Sequence, residues 1–432
     1  MVKNKYLDED LKDELVKIIQ SCNINFLIGA GFSAGLLKPL GNLEKTIEII
    51  KQNPSNPKNI VLESYMYWKF FEESMYPICD EVNKENLKYQ IEFFKLWLDI
   101  LNERQSSILP KQINVFTTNY DIILEFSMEN KFIDYNDGFS GRINPYFVTS
   151  NYNKLFYKQA LFTNRKSEIP IFNIFKIHGS LTWGTDSHNR DKIIYQDYRK
   201  VLKGFFDYNN GLFTKSSEKD NIGSVISVYE KISKCSWDDL NKDFLDNAIA
   251  DIKYTNEELK DKYIPFIERY KDTFKIVNPT KAKFCDTIVN KNYYELIRIY
   301  CNEIEKENCI LFVLGFSFND EHIEDITKRS LNNASLIIII FAYSKRDRDN
   351  FNEKFEQFNN VMIVGLSEWD KDTLDGSVYI DDTKTKEDGK VKEEEETKEE
   401  VAVTISKEKT EESNLGIEKL NEFLINVLKG DR

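Results

Sequence analysis

The chain has 432 residues, 41% of them hydrophobic and 13% aromatic, which is enough for about two or three domains around a real core. Lys and Arg total 59 against 72 Asp and Glu, a net charge of −13, so the overall field disfavours nucleic acid as a direct partner. No stretch is long and apolar enough for a bilayer span, residues 1–20 lack a signal-peptide core, and the six cysteines form no Cys-x-x-Cys pair. The expectation is therefore a cytoplasmic chain with reduced thiols, no metal and no membrane contact.

Residues 8–22 carry Leu11, Leu15, Ile18 and Ile19 at helical spacing and lead into an apolar run, 24–28, that reads as a buried strand. A glycine turn follows, with Gly29, Gly31 and Gly35, and a helix is expected over 42–50. Strand, glycine turn and helix start suit a nucleotide phosphate, because backbone N–H groups and the helix dipole point at the anion and no Cβ obstructs it. The same pattern also suits a tight turn with no ligand. Between 61 and 101, Tyr65, Tyr67, Trp68, Phe71, Phe93, Phe94 and Trp97 predict two helices packed over the nucleotide-binding core, their aromatic stripe being core and not a cofactor box.

A second strand is expected at 113–117, running into Thr117-Thr118-Asn119-Tyr120-Asp121, with a helix beginning near Asp121. Residues 131–170 read as loop-rich, and a strand at 174–177 ends in His178-Gly179-Ser180. Residues 186–308 are charged and mostly helical in pattern, with segments at 224–233, 238–253, 257–270 and 293–307. The strand at 310–314 runs into Gly315-Phe316-Ser317-Phe318-Asn319-Asp320 and a helix to about 333. A continuously apolar run at 336–341 predicts a central strand, followed by a helix at 346–358 and a last core strand at 361–364. This alternation predicts an α/β fold: a doubly wound parallel, Rossmann-like sheet over residues 1–368, with helical insertions at about 43–110 and 186–308. Residues 369–432 form a charged extension. Its segment 381–400 holds ten acidic and five basic residues, 377–380 and 401–405 could pair as a hairpin around it, and 415–428 is amphipathic, fit to dock on the body or on a partner.

Ligands of open parallel sheets sit at the carboxyl ends of the strands, so the polar ends at 29–35, 117–121, 178–182 and 315–320 are expected to share one crevice. Histidine is the side chain best suited to take a proton near neutral pH, which singles out His178. Asn119 and Asp121 also suit the start of a helix, Ser33 a turn, and Ser317 with Asp320 an N-cap pair. His322 reads as structural, His188 as a loop residue and Trp183 as packing.

Gly-Ala-Gly-Phe-Ser at 29–33, Thr-Thr-Asn-Tyr-Asp at 117–121 and His-Gly-Ser at 178–180 resemble, in order, three signature blocks of the sirtuins. With Lys-Ile-His-Gly-Ser-Leu-Thr-Trp at 176–183 and Gly-Phe-Ser-Phe-Asn-Asp-Glu-His at 315–322, the chain resembles more closely the sirtuin-like domains of bacterial antiphage defence proteins. The resemblance spans roughly residues 20–185 and 308–366. It implies a sirtuin-type fold that binds NAD and cleaves the nicotinamide–ribose bond. Asn119 and His178 would be catalytic, His178 as general base, and Asp121 would contact the nicotinamide ribose and carboxamide region. Gly29, Ala30, Gly31, Ser33 and Thr118 would lie along the pyrophosphate and adjoining ribose, and Gly315, Ser317 and Asp320 along the adenosine half.

The chain lacks the four cysteines that hold zinc in sirtuin deacylases, and Thr118 stands where they carry Gln. The resemblance thus implies an NAD+ hydrolase that releases nicotinamide and ADP-ribose and depletes NAD in infected cells. It would be gated by homo-oligomerisation, by a partner ATPase of DNA-translocase type or by a phage component. NAD-dependent deacylation, ADP-ribosyl transfer and a non-catalytic NAD or ADP-ribose sensor are the alternatives.

Overall fold

The computed structural model describes residues 2–38, 43–51, 56–104, 109–189, 192–213, 221–236, 239–277, 291–371 and 414–429. Eight strands among them form one parallel sheet: β1 (Lys3–Tyr6), β2 (Asn23–Ile28), β3 (Gln112–Thr117), β4 (Tyr135–Asn136), β5 (Ile171–Lys176), β6 (Cys309–Leu314), β7 (Leu336–Phe341) and β8 (Val361–Gly365). Their spatial order is β1-β8-β7-β6-β2-β3-β5-β4. From β2 the chain winds outward through β3 and β5, whereas β6, β7 and β8 wind the other way. The topological switch point therefore lies between β2 and β6, where open α/β sheets bind ligands.

The middle strands are mostly apolar and buried on both faces because helices cover both. On one face Phe26 meets Phe93 and Trp97 of helix Lys88–Glu103 edge-on, at centroid distances of 5.8 and 5.0 Å, and stacks on Phe312 at 5.2 Å. On the other, Phe116 stacks on Phe175 at 4.5 Å and meets Tyr300 of helix Lys291–Ile304 at 5.0 Å. Helix Glu9–Ser21 is started by Asp8, whose carboxylate accepts the Leu11 N–H at 2.9 Å, a cap worth about 1 kcal/mol.

The C-terminal helix Ile417–Lys429 docks on the body. It buries Leu420, Phe423, Leu424 and Val427 against helices Lys88–Glu103 and Glu9–Ser21, and Asn421 donates to the Tyr89 carbonyl at 2.8 Å. The acidic run 381–400 and its flanks at 377–380 and 401–405 lie outside the described residues.

Part of each predicted insertion, apart from helices Lys88–Glu103 and Lys291–Ile304 that cover the sheet, packs together as one helical unit. Tyr67 stacks on Tyr270 at 4.6 Å, Trp68 on Phe213 at 5.5 Å, and Phe71 lies 4.8 Å from Phe205. Helix Pro57–Phe70 belongs to this unit rather than lying over the sheet like helix Lys88–Glu103. Its buried residues run all round the helix, so it needs cover on every side, and the second insertion supplies it. The loop-rich region also contains the sheet-edge strand β4 and a small antiparallel sheet.

Four asparagines cross the sheet on adjacent strands. The Asn136 amide donates to Asn173 Oδ1 at 3.3 Å, Asn173 to Asn114 at 3.0 Å, and Asn114 to Asn25 at 2.9 Å. Asn25 donates in turn to Cys309 Sγ at 3.1 Å on β6. Asn25, Asn114 and Asn173 are direct register partners, as are Asn136 and Asn173. Every bond in the row runs in the same direction, from β4 toward β6.

Candidate functional site

The strands β6, β2, β3 and β5 are neighbours and parallel, so the four polar strand ends open on the same side. The glycine turn lies against the turn after β6. A Cβ at Gly31 would come within 2.6 Å of Gly315 Cα, one at Gly29 within 2.6 Å of the Gly315 carbonyl oxygen, and one at Gly315 within 2.4 Å of the Phe32 nitrogen. These three glycines permit two backbone turns to touch at the switch point. The Gly29 and Gly31 N–H groups donate to the carbonyls of Leu314 and Gly315, at 3.0 and 2.9 Å. They are thus used within the fold, where the sequence alone offered them to an anion. The turn continues as a short 3-10 segment, Ala30–Ser33, and the α-helix begins only at Leu43, so no long helix dipole aims at the turn. Ala30 and Gly31 are exposed, and Thr118 is half-buried with its N–H 3.4 Å from the Ile28 carbonyl.

Beneath this turn, Ser33, Asn119 and Asp121 form a buried hydrogen-bonded chain. The Asn119 amide donates to the Gly29 carbonyl at 3.0 Å and to Ser33 Oγ at 3.1 Å, and Ser33 donates to Asp121 Oδ2 at 2.7 Å. The Gly29 carbonyl can only accept, which fixes the amide orientation and leaves Asn119 Oδ1 as its acceptor face. The other Asp121 oxygen accepts the Ile123 N–H at 2.9 Å at the start of helix Ile123–Glu129. Asp121 therefore both starts its helix and tethers the glycine turn.

His178 is buried just beyond β5, and its carbonyl accepts the Val277 N–H at 2.8 Å. Gly179 has φ +82° and forms an isolated antiparallel bridge with Ile276, and a Cβ there would fall 2.2 Å from the Lys275 carbonyl oxygen. The exit of the helical unit thus holds the third motif. The unit also reaches the second motif, where Phe70 packs edge-on against Tyr120 at 5.6 Å.

His322, which the sequence reading took as structural, lies here, as do Lys176 and Glu125, which it did not weigh. The His322 ring lies 5.8 Å from that of His178, centroid to centroid. Lys176 is buried, donates to the Asp121 carbonyl, and pairs with Glu125 at 3.1 Å. Burial pushes the Glu125 carboxyl up from its ordinary range, and the Lys176 ammonium opposes that shift. A lone charge closing an otherwise uncharged, buried strand is the signal that could have flagged Lys176.

On the opposite wall, Gly315 and Ser317 are exposed and Asp320 is half-buried. Phe318 is buried with φ +55°, and Lys354 donates to its carbonyl at 2.8 Å, holding the loop in a conformation few bulky residues adopt. Asp320 occupies the N-cap of helix Glu321–Ser330, but its side chain makes no capping hydrogen bond, so the expected N-cap pair does not form. His188 is exposed beside Asp186, and Trp183 packs on Tyr293 with ring centroids 5.8 Å apart.

Among the described residues no group of three or more His, Cys, Asp or Glu is placed to hold a metal ion, and no helix is long and apolar enough to cross a membrane. No protein-family model matches the chain, and no curated protein matches it.

Proposed function

We propose that the chain is an NAD+ hydrolase of the sirtuin-like class that depletes NAD in bacterial antiphage defence, acting in the cytoplasm. One observation carries the reading most: Asn119, Ser33 and Asp121 are hydrogen-bonded into one buried chain at the carboxyl ends of adjacent strands, beside the switch point. Three of the residues that the sirtuin resemblance assigns to an NAD site are thereby hydrogen-bonded neighbours, and His178 follows the next strand along, which supports the reading.

In this reading the nicotinamide–ribose bond breaks with its electron pair leaving on nicotinamide, and positive charge develops on the ribose. Water forms the new bond to the anomeric carbon, and His178 takes the proton that the water sheds. Asn119 Oδ1 is the acceptor available to a ribose hydroxyl or to that water, because both amide hydrogens are already used. The Ala30 and Gly31 backbone, Ser317 and Asp320 line the path of the rest of the dinucleotide. Activity of this kind threatens its own host, so the reading includes a gate: self-assembly, a DNA-translocase-type ATPase or a phage component.

The test is chromatography of NAD+ incubated with the purified chain, alone and with candidate partners, beside Asn119→Ala and His178→Ala. Release of nicotinamide and ADP-ribose by the wild type, absent in both variants, supports the reading. Turnover that requires an acylated peptide or a protein acceptor replaces it with deacylation or ADP-ribosyl transfer. Binding of NAD or ADP-ribose without cleavage under every condition replaces it with a sensor.

A further inference from the structure

The third motif grips the second at two successive carbonyls, with His178 between the two grips. The Lys176 ammonium donates to the Asp121 carbonyl, and the Leu181 N–H donates to the Tyr120 carbonyl at 3.0 Å. Asn119 immediately precedes that pair of carbonyls. Its own N–H donates to Thr117 Oγ1 at 3.0 Å, and Thr117 is the register partner of Lys176 across β3 and β5. The Ile177 N–H continues the pairing, donating to the Thr117 carbonyl at 2.9 Å. Residues 118–121 are therefore pinned at their near end by Thr117 and at their far end by Lys176 and Leu181.

Burying an ammonium is unfavourable unless protein partners replace its water. Lys176 is 3% exposed, and two partners replace that water. One is the Asp121 carbonyl, and the other is the carboxylate of Glu125 at 3.1 Å, four residues on in the first turn of helix Ile123–Glu129. The Asp121 carboxylate is used elsewhere, accepting from Ser33 Oγ and the Ile123 N–H. Asp121 thus joins the glycine turn through its side chain and β5 through its carbonyl. Stability alone does not call for the Lys176–Glu125 pair, because well-packed apolar residues of similar volume are often as stable or more so. What apolar residues cannot do is donate to a carbonyl and hold it in place.

We infer that Lys176, steadied by Glu125, is a positioning residue: its grip on the Asp121 carbonyl sets the separation between Asn119 and His178. It acts through the backbone of the second motif. The kinetic consequence rests on the NAD+ hydrolase reading proposed above, whereas the positional one does not. Without the grip, the Leu181 contact and the strand pairing remain, so the two motifs stay together and only their fine spacing is lost. A chain without Lys176 should therefore fold and bind its substrate, and react slowly.

Two variants of the full chain separate positioning from structural support. Lys176→Met removes the grip and strands the Glu125 carboxyl, whereas Lys176→Met with Glu125→Leu removes both. The urea midpoint should fall in the single variant and recover most of the way in the double one. The rate should not recover with it. In both variants kcat for nicotinamide release from NAD+ is expected to fall by about tenfold to 100-fold, with KM within about threefold of the wild type, because slight misplacement of reacting groups costs that much. A double variant as fast as the wild type, or one in which KM rises and kcat holds, overturns the inference. A second readout needs no turnover. The chain has three histidines, so the imidazole proton resonances of His178 are assigned by their loss in His178→Ala. In the double variant they should shift while those of the exposed His188 stay in place, and unshifted His178 resonances overturn the inference. A wild type that cleaves no NAD+ under any condition defeats the hydrolase reading instead, and the His178 resonances then decide the role of Lys176.

Discussion

The rings of His178 and His322 lie together, 5.8 Å apart at their centroids and tilted by 33°. His178 follows β5, and His322 stands in the first turn of the helix after β6, so the pair ties together two strand ends that are not neighbours in the sheet. If His178 takes the proton from water, His322 is its ring neighbour and positions it. His322→Phe, which keeps a ring in place, is expected to slow NAD+ cleavage by about tenfold. His178→Ala should remove about 10²–10⁴-fold, the usual worth of a general base. Initial rates of nicotinamide release measure both, and an unchanged rate in His322→Phe rejects the positioning role.

The chain of Asn119, Ser33 and Asp121 predicts a stability effect separate from catalysis. Ser33→Ala removes the donor to a buried Asp121 oxygen, and Asn119→Ala strips a donor from the Gly29 carbonyl. Each is expected to cost about 1–3 kcal/mol, read as a lower urea midpoint at unchanged slope. A midpoint equal to the wild type in either variant contradicts the network.

The touching turns predict a contrast among glycines. Gly315→Ala and Gly31→Ala each drive a Cβ into backbone 2.4–2.6 Å away, and backbone cannot swing aside as a side chain can. Both are expected to destabilise by about 3 kcal/mol or more or to abolish soluble expression. Gly35, at φ +96° with nothing within 4 Å of an added Cβ, should lose only about 1 kcal/mol as Ala, from backbone conformation. Thermal melts of the three variants decide the order.

Glu324 predicts a pH dependence. Burial by itself would raise its carboxyl, but hydrogen bonds from Lys328 at 2.5 Å and Lys354 at 2.9 Å outweigh it and hold the group below its usual range. A carboxyl depressed in the folded state stabilises fully above its unfolded value of about 4.3, and that contribution fades as pH falls through the folded value. Glu324→Gln should therefore be less stable than the wild type at neutral pH, with the gap closing below about pH 4. A gap that is constant between neutral and acid pH refutes this, and the same Lys354 supports the Phe318 carbonyl, so the loop after β6 should loosen in the variant.

The interior of the sheet was readable because β6 and β7 are apolar throughout and β2 is apolar from Ile24 on except at Asn25, as strands covered on both faces tend to be. β1, Lys-Asn-Lys-Tyr, carries no such pattern. It is an edge strand held by backbone pairing to β8, and side-chain periodicity says nothing about it. The union of the two insertions was hidden for another reason: amphipathic spacing shows that Tyr67 and Tyr270 are buried, but not that each buries the other. At the site, convergence of the strand ends followed from the alternation of elements. The approach of His178 to His322 did not, because it depends on where the helix after β6 points its first turn. The glycines were legible as a place of close approach, and the partner in that approach proved to be Gly315.

The asparagine row acts as a spirit level for the crevice. Asn25, Asn114 and Asn173 each stand three residues before the last residue of their strand, Ile28, Thr117 and Lys176. Three residues of strand are roughly 10 Å, so the row lies one fixed depth below the mouth. A strand that slipped by one residue would turn its asparagine to the opposite face and break the row. Side chains that no ligand touches thus hold three rims of the mouth at a common height, and a change such as Asn114→Val would tilt the floor under Asn119 and His178 without altering either.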